Sequence, residues 1–146
     1  MPSAIRLAGL VVFTIMTWIV SEQVKPLFPE GTDFGRFSIY NAVLGGVIGW
    51  IFMKPVVAER RGGALSAGVT TAVAIIFWVL LLHSIREMIS LSLRKQYGGP
   101  VEAVVGVFQI MLEYGALIAT PTIIGTIVFF AVVGGMFCGG VARRWP

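Results

Sequence analysis

Six side chains stand where they could do chemistry inside or at the rim of an otherwise apolar chain: Glu22, Arg86, Glu87, Glu102, Gln109 and Glu113, with Lys25, Arg94 and Lys95 as nearby counter-charges. Carboxylates at that depth can hold a cation or a proton, and arginines an oxyanion, because a charge beside hydrocarbon persists only with a partner. The competing reading is structural: the same groups sit among lipid headgroups and pair with one another. Metal and disulfide chemistry find little to build on. Cys138 and His83 are each the single residue of their type, so they form neither an intramolecular disulfide nor a ligand cluster. No phosphate-binding glycine loop with lysine, no His-Glu-x-x-His and no Gly-x-Ser-x-Gly occurs. The residues predict a non-enzymatic protein without cofactor or metal.

The elements that carry these groups are membrane helices. Hydrophobic residues make up 57% of the 146, charged residues only 12%, and the mean hydropathy is +0.90, all outside the soluble globular range. A span takes roughly 20 apolar residues, which leaves room for about four or five spans and no separate soluble domain. The apolar runs and their Pro/Gly punctuation predict an all-α integral membrane protein with spans at about 5–25, 38–54, 64–93 and 121–142. The run at 5–25 lacks a small-x-small cleavage site and reads as an uncleaved helix. The segment 54–63 reads as a polar connector, and 26–37, with its prolines and glycines, as a structured surface loop.

The segment 101–119 is long enough to span, yet Glu102, Gly106, Gln109 and Glu113 recur at spacings of four, three and four. One polar stripe marks an amphipathic helix, and each charge at a membrane-helix centre costs about 2.5–3.5 kcal/mol. This helix is therefore expected at the interface, lying flat or re-entrant. Four spans put Arg6, Lys54, Arg60, Arg61, Arg143 and Arg144 on one side, against Lys25, Arg36, Arg86, Arg94 and Lys95 on the other. That excess predicts cytoplasmic termini. The basic residues are scattered through loops without interleaved aromatics, which argues against nucleic acid as a partner.

Glu22, Arg86 and Glu87 then share the outer membrane level, and a glutamate in the last turn of a membrane helix needs a cation. Arg86 is the expected partner, with Lys25 as the local rival. Thr14, Thr17 and Ser21 mark one face of the first helix, where hydroxyls mostly bond backbone carbonyls. Gly45 with Gly49, and Gly135 with Gly139, stand at four-residue spacing. Such glycines let helix backbones approach closely, within the bundle or in contact with a second copy or a larger membrane complex.

Several polar stretches carry a resemblance: WIVSEQVKPLFPEGTDFG at 18–35, REM at 86–88, LR at 93–94, YGGPVEA at 97–103 and LEYG at 112–115. They closely resemble the bacterial TrgA-type membrane proteins associated with tellurite resistance, through nearly the whole length. The resemblance implies a small inner-membrane protein linked to tellurite resistance and to stress response, with no catalytic residue to carry over. The alternatives are a dimeric small-solute or ion transporter, like the four-helix multidrug exporters with a glutamate in their first helix, and a structural accessory subunit.

Overall fold

The computed structural model describes residues 3–59 and 63–145, of which 54–59 by their backbone alone. Arg60 and Arg61, on which the expected orientation partly rests, lie outside the described residues. The described chain forms five helices: α1 (Ala4–Val24), which tightens into a 3-10 turn at Lys25–Leu27, α2 (Phe37–Glu59), α3 (Ala64–Leu93), α4 (Pro100–Ile118) and α5 (Pro121–Arg144).

Local chemistry sets these boundaries. Thr120 caps α5, its hydroxyl accepting from the Ile123 N–H at 3.4 Å, and Pro121 occupies the first turn, where its missing N–H costs nothing. Arg143 and Arg144 fall in the last turn, where the helix dipole favours cations. Pro100 opens α4 in the same way. Beyond Arg94, α3 closes with Gln96 N–H bonded to Leu91 O and Lys95 N–H to Ser92 O, a Schellman arrangement that holds Lys95 at φ 58°. The expected connector at 54–63 is helical as far as Glu59. Pro55 removes one intrahelical bond there without ending the helix.

Helices α1, α2, α3 and α5 pack as an antiparallel bundle around Phe13, Met16, Met53, Ile75 and Cys138, each fully buried or nearly so. Contacts run in opposite chain directions. Gly9 meets Gly49 and Thr17 meets Gly45 where α1 crosses α2, while Ala64 meets Gly139 and Gly68 meets Gly135 where α3 crosses α5. Gly45, Gly49, Gly135 and Gly139 are thus all taken by close approach within the chain, so a homodimer or larger assembly has to use another face. Helix α4 stands outside the bundle on the C-terminal half of α3, with Gly106 beneath Tyr97 and Gly115 beside Leu80.

Large apolar residues point outward from every helix, among them Val11, Val47, Phe77, Phe108 and Phe137. A soluble monomer does not sustain such a continuous apolar exterior, and lipid is the solvent that accepts it. The chain is a multi-pass membrane protein. By length and composition, α1, α3, α4 and α5 are the described helices able to cross a bilayer, whereas the apolar stretch of α2, Phe37–Met53, is shorter. On α4 the polar side chains Glu102, Gln109 and Glu113 remain exposed, whereas Gly106, the fourth position of the stripe, is buried against Tyr97.

Candidate functional site

The residues that could do chemistry divide between a polar chain inside the bundle and a chamber above it. Thr17 and Ser21 donate to the carbonyls four residues back, at Phe13 and Thr17, each at 2.7 Å. This is how membrane-helix hydroxyls satisfy themselves, as expected. Ser21 Oγ then accepts from Asn41 Nδ2 at 3.0 Å. Since Asn41 uses its amide nitrogen there, its Oδ1 is the acceptor at 2.7 Å from His83 Nε2. His83 Nε2 therefore carries a proton, which leaves Nδ1 as the ring's free nitrogen in the neutral form. Three helices are tied together by this chain, and Asn41 is its centre.

Around and above it lies a cavity of about 330 Å³. Its floor and sides are Met16, Val20, Ile75, Val79 and Ile127; Ser21, Asn41 and His83 form one wall. The loop between α1 and α2 supplies the roof with Phe28, Thr32, Asp33 and Phe34, and α4 closes one side with Tyr114 and Ile118. Four aromatic rings adjoin in succession: Phe37 to Phe34 at 5.6 Å, Phe34 to Phe28 at 5.6 Å and Phe28 to Tyr114 at 6.1 Å. At the other end Phe37 lies 4.9 Å from the His83 imidazole. The roof is held in shape by its own bonds, Thr32 Oγ1 donating to Pro29 O and Gly35 N–H to Asp33 Oδ1.

The sequence-predicted residues meet this site unevenly. Arg86 and Glu87 line the chamber, and among the described residues neither has an ion-pair partner. Glu22 does not pair with Arg86. Its Oε1 accepts from Lys25 Nζ at 2.7 Å and from Ser38 Oγ at 2.6 Å, both outside the chamber lining. The local rival prevails because the 3-10 turn brings Lys25 back over the end of α1, and Ser38 satisfies the same oxygen from α2. Glu102 accepts from Gly98 N–H at 2.6 Å at the start of α4, and Glu113 is exposed; neither lines the chamber. Asn41, Ser38 and the aromatic roof escaped the reading of the residues. The available signal was a lone asparagine in an apolar run, facing a helix that holds the lone histidine.

One consequence is testable directly. Exchanging the charges of Glu22 and Arg86, as Glu22→Arg with Arg86→Glu, is expected to recover nothing lost in the single variants. Exchanging Glu22 with Lys25 retains an attractive pair and is expected to recover part of the loss. Thermal unfolding of the two double variants checks this, and recovery through Arg86 alone would mean that the pair seen here is not the one that operates.

Comparison with protein-family models, with curated proteins and with solved structures finds no match for this chain.

Proposed function

We propose that this protein serves tellurite tolerance in the bacterial inner membrane as a binding protein, holding a small molecule in the chamber at the outer end of its bundle. One observation carries the reading. Three of the five polar stretches that resemble the TrgA-type proteins meet at the chamber: Val20, Ser21, Val24, Phe28, Thr32, Asp33 and Phe34 come from 18–35, Arg86 and Glu87 from 86–88, and Tyr114 from 112–115, while 93–94 and 97–103 lie outside its lining. Residues far apart in the chain and unlike one another chemically share this one destination. Concave, mostly apolar sites with a few polar groups are the ordinary form of small-molecule sites. In this reading both termini are cytoplasmic, α4 lies at the outer interface with its polar stripe toward water, and the chamber faces the periplasm.

The test is complementation of cells lacking the gene. Val79→Trp places an indole in the chamber and is expected to remove most of the tolerance, read as the inhibitory tellurite concentration, at unchanged abundance in the membrane. Val128→Trp, on the outward face of α5 where the valine is 54% exposed, is expected to leave tolerance intact. Full tolerance with Val79→Trp would reject the chamber as the site of action.

A further inference from the structure

The lining of the chamber specifies a charge as well as a volume. Asp33 and Glu87 contribute two carboxylates and Arg86 one guanidinium, so the mouth carries a net negative charge while His83 is neutral. A carboxylate-rich mouth over low-dielectric walls concentrates cations and repels anions. Phe28, Phe34, Phe37 and Tyr114 share this lining, neighbouring rings inclined at 56°, 78° and 64°. All four rings line the chamber, two of the three contacts among them edge to face and one tilted, so the lining carries aromatic surface from the loop, from α2 and from α4. Aromatic faces attract positive charge through their quadrupole, most strongly for weakly hydrated organic cations that shed water easily. An oxyanion meets the opposite conditions.

We propose that the chamber selects a small lipophilic organic cation, a substituted ammonium with an apolar body, its charge held between the four-ring collar and the Asp33 and Glu87 carboxylates. The apolar body enters the pocket between Met16, Ile75 and Val79. Arg86 shares the mouth with these two carboxylates and tempers the negative field, so a monovalent ligand is sufficient. The inference rests on the binding-protein reading above and names the ligand class of that same site.

The experiment compares probes of matched shape on the full chain in lipid nanodiscs: benzyltrimethylammonium, its uncharged isostere neopentylbenzene, and benzylphosphonate as the anion. Saturation-transfer NMR, corrected by empty nanodiscs for partition into lipid, reads each affinity. Benzyltrimethylammonium is expected to bind at least about 10-fold more tightly than the uncharged isostere. Tyr114→Leu and Phe34→Leu are each expected to weaken the cation by about 3- to 10-fold and the isostere hardly at all. Asp33→Asn with Glu87→Gln is expected to weaken the cation and narrow the difference between the two probes without touching the isostere. The probe series on the unmodified protein decides the matter even where a variant fails to fold. Equal binding of cation and isostere, or tighter binding of the anion, overturns the ligand class while leaving a chamber whose occupancy Val79→Trp blocks. Absence of saturable binding by any probe overturns the ligand class, and the binding reading then stands or falls with the tolerance of the Val79→Trp cells.

Discussion

Gly68→Leu is expected to prevent α3 from docking on α5 and to leave the protein without a stable bundle. A Cβ at Gly68 would run into the carbonyl oxygen of Ala131 and would lie 2.8 Å from Gly135 Cα and 2.9 Å from Gly135 N. Every one of these atoms is backbone, so no rotamer change relieves the collision and the two helices have to separate. In lipid this matters more than in water, because close packing rather than burial of apolar surface holds helices together. The expected loss exceeds about 4 kcal/mol, the range of single changes that break a core. Two comparison variants separate this cause from the general effect of altering a glycine. Gly134→Ala meets the Val12 side chain at 2.7 Å, which can turn aside, and should cost about 1–3 kcal/mol at most. Gly125→Ala meets nothing within 4 Å and should gain up to about 1 kcal/mol from helix propensity. Denaturant titration in mild detergent, followed by circular dichroism, ranks the three. A Gly68→Leu protein as stable as Gly125→Ala would refute the crossing.

Asn41→Leu is expected to be the second most damaging change. Leucine fills similar space but accepts no hydrogen bond, so the Nε2 proton of His83 is left without its partner. Ser21 suffers less, because its hydroxyl still donates to Thr17 O and loses only a donor to its lone pair. An unpartnered buried donor costs about 1–3 kcal/mol, and His83 is half-buried on the chamber wall, so the expected destabilisation is about 1–2 kcal/mol. His83→Leu alone should cost a comparable amount by stranding Asn41 Oδ1. The double variant should cost clearly less than the sum, by about 1–2 kcal/mol, since both stranded groups are then gone. Additivity within about 0.5 kcal/mol would show that the two side chains do not depend on each other. Nitrogen NMR offers a direct check, because the neutral ring should bear its proton on Nε2.

How far the residues reveal this arrangement depends on the question. Punctuation by Pro26, Pro100 and Pro121 and the apolar runs between them were enough to place all five helices within a few residues, except at the end of α2. The polar stripe of α4 was legible because Glu102, Gln109 and Glu113 repeat at helical spacing. That Arg86 and Glu87 reach the end of the bundle where α1 runs out was also legible, since it follows from counting residues along the helices, and both line the chamber with Ser21 and Val24. The partner of Glu22 was not. Two candidates stood at the same height, and only the backbone turn at Lys25–Leu27, with Ser38 arriving from α2, decides between them.

The reason is the solvent. In water, polarity marks the outward face of a helix, and a period of 3.6 residues tells which side is buried. In lipid both the core and the exterior are apolar, so Ile75 in the core and Val73 on the outside look alike as residues. Sequence alone therefore determined that the chain is a multi-pass membrane protein and where its helices lie along the chain. The rotation of each helix about its own axis was decided by the tertiary packing of Gly9 on Gly49 and of Gly68 on Gly135. That rotation is what brings Asn41 onto His83, and the roof loop then adds Phe28 and Phe34 to Phe37 of α2 and Tyr114 of α4 in the chamber lining. Contacts of this kind depend on azimuth, and an apolar helix in an apolar solvent carries almost no record of its azimuth until another helix packs against it.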